Sequence, residues 1–163
     1  ILLGTSDSTG RCDVSPKGDF PGFVHVLDDK TIAIPDLPGN NRLDTLLNIL
    51  NNPQVGLIFM IPGMNETLRI NGKVRLVRDA KLLESMAYQG KLPNLAIVVD
   101  VQEVFTHCPK AFLRSKLWSD EYRIERSELP SFAEILKDHT GIVDCDVEEL
   151  QKELDHRAAT TLH

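Results

Sequence analysis

The feature that most constrains the fold is a long stretch in which apolar and polar residues alternate, at Thr67–Val77. Apolar or small residues stand at even positions 68–76, and Thr, Arg, Asn, Lys and Arg stand at odd positions 67–75. Because successive side chains of a strand point to opposite faces, this stretch predicts a long β-strand with one face in water. The apolar run just before it, at residues 55–61, is short enough for a buried strand.

The rest of the chain predicts an α+β fold. Short apolar segments at residues 2–5, 12–15, 23–27 and 31–34, separated by turn residues, predict two hairpins, and residues 95–105 predict the last long strand. Leucines 43, 46, 47 and 50 predict one apolar helix face, and further helices are expected at 109–118, from 131 and from 147. Ser131 with Glu134, and Asp146 with Glu149, have the spacing of capping boxes. We therefore predict a small barrel of about six antiparallel strands with peripheral helices, and not a doubly wound α/β sheet.

Length and composition limit the other possibilities. The 163 residues suit a single domain, 1–163, with a helical C-terminal extension from about residue 119. A net charge of −6 disfavours general nucleic-acid binding, and the absence of a long apolar run disfavours a membrane span. Three distant cysteines form neither a disulfide framework nor a zinc motif, which predicts a reducing, cytoplasmic setting. The apolar start at residues 1–3 predicts a strand and not a signal peptide, because no basic segment precedes it.

A first candidate anion site lies at Asn40, Asn41 and Arg42, where the leucine helix opens. A helix N-terminus carries partial positive charge, so an arginine in its first turn is unfavourable unless an anion binds there. Free backbone N–H groups and the guanidinium would hold such an anion together. The residues leave open an alternative in which Arg42 turns into solvent.

Two further basic positions are candidates for binding an anionic ligand. Lys17 lies at the end of the second predicted strand, where an ordinary surface lysine is the alternative. Lys110 and Arg114 are four residues apart on one predicted helix face, and Trp118 follows after four more. An aromatic ring flanked by two cations suits a planar anionic ligand. The alternative is a solvated helix face with Trp118 buried against the barrel.

Common catalytic motifs are absent from the sequence. There is no GxSxG, Walker, GxGxxG or HExxH segment, so the catalytic residues stay unknown at this stage. His107 and Cys108 are adjacent and would point to opposite faces of a strand, so we predict no metal site.

Taken together, the segments resemble the pyridoxamine 5′-phosphate oxidase-like flavoproteins with an FMN-binding split β-barrel, and within them a bacterial subgroup of FMN-dependent enzymes. The likeness runs in order over about residues 2–140. The segments that carry it are residues 13–19, 33–36, 38–45, 52–53, 55–57, 61–63, 66–72, 107–111, 114–115 and 117–118.

The resemblance implies a homodimer with two FMN sites at the subunit interface. Lys17 and Arg42 match positions that hold the FMN phosphate in such proteins. Ser15 and Pro35 fall where the flavin ring and ribityl chain are lined, and Thr67 matches a strand residue that hydrogen-bonds the ring edge. The remaining expected cofactor-binding residues are Asn40 and Asn41 beside Arg42, and Lys110, Arg114 and Trp118 on the helix that would reach the partner's flavin.

The sequence also departs from true pyridoxamine phosphate oxidases. These have an aromatic-hydroxyl pair where Ile34 and Pro35 stand, and a basic C-terminal segment where this chain has an acidic helix at residues 144–153. Both differences argue against a vitamin B6 substrate. The leading hypothesis is an FMN-dependent oxidoreductase acting on a small molecule. The alternatives are a flavin carrier or sensor without turnover, and an interaction domain whose acidic tail binds a partner.

Overall fold

The computed structural model describes residues 1–37, 42–141 and 145–160, so Asn40 and Asn41 lie outside the described residues. The chain divides into two compact units, Ile1–Trp118 and Ser119–His163. The prediction of a single domain with a helical extension stays a prediction.

The first unit is built on one antiparallel sheet, which confirms the α+β split-barrel fold class. The described residues form seven strands in it, one at each predicted strand segment, although the predicted barrel had about six; their order is β2-β1-β5-β6-β7-β4-β3. The strands are β1 (Leu2–Ser6), β2 (Cys12–Pro16), β3 (His25–Asp28), β4 (Thr31–Asp36), β5 (Gln54–Phe59), β6 (Thr67–Val77) and β7 (Leu95–His107).

The core lies on the inner face of this sheet. The side chains of Leu3, Ile34, Leu57, Ile97 and Val99 are each at most 1% exposed and pack together. The alternation of β6 sets this burial, since its inner residues at 70 and 74 are 5% exposed and its outer residues at 73 and 75 are exposed. The predicted alternation is therefore confirmed over residues 70–75, whereas it is reversed at the start of β6, where Thr67 is buried and Leu68 is exposed.

A bulge interrupts the long pairing of β6 with β7. Asn71 lies opposite Glu103 and Gly72 lies opposite Val101, so β7 holds one extra residue. A Cβ atom at Gly72 would lie 2.3 Å from the carbonyl oxygen of Asp100. Only glycine allows β7 to approach this closely.

The described residues of the first unit form three helices: α1 (Asp44–Asn51), α2 (Ala80–Ser85) and α3 (Lys110–Ser115). The predicted leucine face of α1 is wrong for three of its four residues: leucines 43, 47 and 50 are exposed, whereas Leu46 packs against the core on the side where Thr45 and Ile49 are buried. Asn48 donates a hydrogen bond to the Thr5 hydroxyl at 3.1 Å, and Asn52 donates one to the Ser6 hydroxyl at 2.8 Å. These bonds turn the Thr45/Ile49 face toward β1.

The second unit contains α4 (Phe132–Thr140) and α5 (Val147–Thr160), preceded by two short 3-10 turns. The predicted capping box at α4 is confirmed, because Ser131 and Glu134 each bond the other's backbone N–H. Asp146 accepts hydrogen bonds from the backbone N–H groups of Glu148 and Glu149 at the start of α5. Within the described ranges, every helix is too short or too polar to cross a membrane.

Candidate functional site

A cavity of about 350 Å³ lies where the ends of β2 and β4 meet the start of α1. A volume of this size is at the lower end of the range found for small-molecule sites. Ser15, Lys17, Pro35 and Arg42, which the sequence singled out separately, all line this one cavity. The other lining residues are Pro16, Gly18, Phe23, Asp36, Leu37, Leu43, Thr45, Leu46 and Asn94.

Lys17 is fixed in the cavity by the β1–β2 hairpin. Its backbone N–H donates to the Ile1 carbonyl at 2.9 Å, and the Ile1 amino group donates to the Lys17 carbonyl at 2.8 Å. Its ammonium Nζ lies 3.6 Å from Oδ1 of Asp36, and the two side chains are 21% and 17% exposed. Lys17 is thus a largely buried cation and not an ordinary surface lysine.

The second wall of the cavity is the end of β4. Pro35 lies opposite Ala96 of β7, and Asp36 lies opposite Leu95. The described pairing of β3 reaches β4 only as far as Ala33, so Pro35 occupies a position with one paired neighbour, where proline is tolerated. Asn94 donates its backbone N–H to the Asp36 carbonyl at 3.3 Å. This bond attaches Asn94 to the cavity wall.

Arg42 lies just before α1, which corrects the expectation that it belongs to the first turn. The helix begins at Asp44, with Leu43 as its N-cap and no side chain capping it. Nη2 of Arg42 lies 2.8 Å from Oδ2 of Asp44, and the Arg42 side chain is 72% exposed. Asp44 supplies the negative charge that suits a helix N-terminus. Arg42 lines the cavity and also faces solvent, and its binding of an anion stays a prediction.

Four other predicted site residues that the structure describes do not line this cavity: Thr67, Lys110, Arg114 and Trp118. Thr67 is 8% exposed at the start of β6, opposite His107 of β7. The Trp118 indole donates a hydrogen bond to the Met64 carbonyl at 2.6 Å and contacts the edge of Phe112. Lys110 and Arg114 are exposed on α3. The expectation that these residues act on a partner's flavin stays a prediction.

Asp36 and Asn94 are among the nine lining residues that were not identified as site residues from the sequence. Asp36 follows Pro35 directly, but nothing in its local pattern shows that its carboxylate would lie beside Lys17. Asn94 lies just before β7 and reaches the cavity only through the register of β7 with β4. Strand register is a long-range property, so no local signal predicted either position.

The charges of the site balance. The two cations, Lys17 and Arg42, are each paired with a carboxylate, Asp36 and Asp44 respectively. In the part of the chain that the structure describes, no three His, Cys, Asp or Glu side chains gather in a way that could hold a metal ion.

Known proteins resemble this chain in sequence and in fold. A family model described as pyridoxamine 5′-phosphate oxidase matches residues 1–108. The chain is similar to the structure of HupZ from Group A Streptococcus, with 18% identity and a TM-score of 0.52 over 64% of this chain and 82% of that one. It is also similar to an FMN-binding protein from Syntrophomonas wolfei subsp. wolfei, with 10% identity and a TM-score of 0.50 over 66% of this chain and 76% of that one. No curated protein matches the sequence significantly.

At these identities the two structures support the fold alone, whereas the family match is made on the sequence. It spans all seven described strands and every described residue that lines the cavity. The chain therefore belongs to the pyridoxamine 5′-phosphate oxidase family.

Proposed function

We propose that this protein binds FMN and uses it as an oxidoreductase on a small-molecule substrate. The observation that carries the proposal is that Lys17 and Arg42, 25 positions apart in the sequence, line one cavity at the start of a helix. Two cations beside a helix N-terminus form a suitable site for a phosphomonoester. Family membership and the FMN-binding relative support the same cofactor.

The residues present fit the phosphate end of FMN. Lys17 and Arg42 would hold the phosphate, and Asn40 and Asn41 directly precede Arg42 in the sequence. Ser15 and Pro35 would line the ribityl chain and part of the ring. FMN, when bound, supplies the electron and hydride transfer, so the protein's part is to bind, orient and shield it. No acid or base side chain is needed for that part, which agrees with the lack of a catalytic motif.

A second subunit would complete the ring end of the site. Apolar side chains stay exposed around one end of the sheet: Ile61 is 57% exposed, Met64 47%, Val104 58% and Phe105 40%. The first half of β7 is buried in the chain's own core, so the exposed apolar side chains of β7 lie in its later part. We propose that a two-fold dimer covers this end and brings Thr67, Lys110, Arg114 and Trp118 of one subunit toward the flavin of the other.

The dimer is tested by measuring the mass in solution. Sedimentation at micromolar concentration should give twice the chain mass of 18.2 kDa. A Val104→Glu substitution should shift the protein toward monomer and weaken FMN binding in the same samples. A wild-type monomer that binds FMN tightly would contradict the shared site.

The cofactor is tested by titrating the full-length protein with FMN and with riboflavin. FMN should bind and shift the flavin absorbance, and riboflavin should bind much more weakly because it lacks the phosphate. Reduction of the bound FMN by a nicotinamide, followed by reoxidation by an acceptor, would support the oxidoreductase. Bound FMN that no donor reduces would support a carrier or sensor instead. A protein that binds neither flavin would refute the proposal.

The cellular setting is a further part of the proposal. The cysteines at 12, 108 and 145 are free. Free thiols are typical of reducing compartments, so we propose that the protein works in the cytoplasm.

A further inference from the structure

A carboxylate lies inside the cavity that we assign to a phosphate. Asp36 is 17% exposed, and its Oδ1 lies 3.6 Å from the ammonium of Lys17. Among the described lining residues, Asp36 is the one acidic side chain. Asp44, which pairs with Arg42, does not line the cavity. An anionic ligand that binds Lys17 therefore lies close to the negative charge of Asp36.

A bare phosphate would be disfavoured in this cavity for two reasons. It would compete with Asp36 for Lys17 and would place two like charges close together. It would also leave a largely buried carboxylate without its cation, which is costly unless another group bonds it. A hydroxyl or N–H group on the ligand, close to its phosphate, would remove the second difficulty by donating a hydrogen bond to Asp36.

We propose that Asp36 is a specificity-determining residue that makes the cavity select phosphomonoesters carrying a hydrogen-bond donor near the phosphate. The ligand's phosphate binds the Lys17 ammonium in place of Asp36. The ligand's hydroxyl or N–H group then donates a hydrogen bond to the Asp36 carboxylate. This inference rests on the proposed function, since FMN with its ribityl hydroxyls is one ligand of this class. It extends the proposal by excluding plain alkyl phosphates and inorganic phosphate as good ligands.

The test compares two phosphates of equal chain length that contain no flavin. Ribitol 5-phosphate carries hydroxyl donors, and n-pentyl phosphate carries none. Titrations of the full-length protein, followed by NMR shifts of backbone amides, should give about tenfold tighter binding of ribitol 5-phosphate, the effect expected of one charge-assisted hydrogen bond. Equal binding of the two phosphates by the wild type would overturn the inference without any substitution.

Two matched substitutions identify the residue responsible. Asp36→Asn removes the charge of the side chain at nearly constant shape, so n-pentyl phosphate should bind about tenfold more tightly. The preference for ribitol 5-phosphate over n-pentyl phosphate should fall to about twofold or less. Asp44→Asn removes a negative charge beside Arg42, outside the cavity lining, and should therefore tighten the binding of both phosphates by the same factor. If Asp36→Asn weakens both phosphates equally, Asp36 merely holds Lys17 in place and the inference is wrong.

An FMN titration of the same samples separates this inference from the proposed function. If FMN does not bind but the preference for ribitol 5-phosphate depends on Asp36, the flavin assignment is wrong and the inference stands. If FMN binds but the preference is absent, the inference is wrong and the flavin assignment stands. If neither phosphate nor FMN binds, both are wrong.

Discussion

Removing the charge of Lys17 should weaken FMN binding more than removing that of Arg42. The Lys17 side chain is 21% exposed and that of Arg42 is 72% exposed. A hydrogen bond to a charged group contributes about 1.5–3 kcal/mol, and exposure to water lowers that value. We therefore expect Lys17→Met to weaken FMN by about a hundredfold and Arg42→Met by about tenfold.

The assay is a fluorescence titration of each variant with FMN and, in parallel, with riboflavin. Riboflavin has no phosphate, so its weak affinity should change by less than about threefold in both variants. Lys81→Ala, which removes a lysine from the exposed face of α2, serves as the charge control and should leave FMN binding unchanged. Equal losses for FMN and riboflavin, or a larger loss from Arg42→Met than from Lys17→Met, would refute the reasoning.

Three further predictions concern stability. Gly72→Ala should lower the free energy of unfolding by about 1–3 kcal/mol in urea, because its Cβ would lie 2.3 Å from the Asp100 carbonyl oxygen. Gly56→Ala is the matched control and should cost nothing, since its Cβ would lie 3.5 Å from Asn71; equal losses would contradict the explanation from the bulge. Ser131→Ala should destabilise the second unit by about 1 kcal/mol in a thermal melt followed by circular dichroism, because it breaks the capping box, and an unchanged melt would contradict this role. Hydrogen bonds from Ser131 lower the pKa of Glu134 below its usual value of 4.5, so this carboxylate stabilises the fold above that pH and loses its effect as the pH falls through the lowered pKa. The second unit should therefore lose helix on acidification below about pH 4.5, and Glu134→Gln should reduce that pH dependence; an equal acid response in both proteins would contradict the assignment.

The parts of the fold that local chemistry determines were predictable from the sequence. The alternating sequence of β6 predicted both ends of the strand, Thr67 and Val77, although the first two residues face the opposite way to the prediction. Ser131 and Glu134 gave the start of α4, because a capping box involves only neighbouring residues. The strand predicted at residues 55–61 extends too far at its C-terminal end. β5 ends at Phe59, and the chain turns at Ile61, where the Met64 N–H bonds the Ile61 carbonyl.

The parts that depend on tertiary contacts were not predictable in this way. The leucine spacing of α1 fits an apolar face, but hydrogen bonds from Asn48 and Asn52 to β1 decide that a different face is buried. The pairing of Lys17 with Asp36 needs the ends of β2 and β4 to meet, which only the strand order and register determine. The sequence thus identified the two basic residues that line the cavity and missed Asp36, which pairs with Lys17.

The most direct test of the central claim is a crystal structure of the protein in complex with FMN. The account predicts that the phosphate lies in the cavity between the ends of β2 and β4, within hydrogen-bond distance of both Lys17 Nζ and the Arg42 guanidinium. It also predicts that the Asp36 carboxylate accepts a hydrogen bond from a ribityl hydroxyl. A phosphate bound elsewhere, with Lys17 still paired to Asp36 and Arg42 still paired to Asp44, would contradict the account.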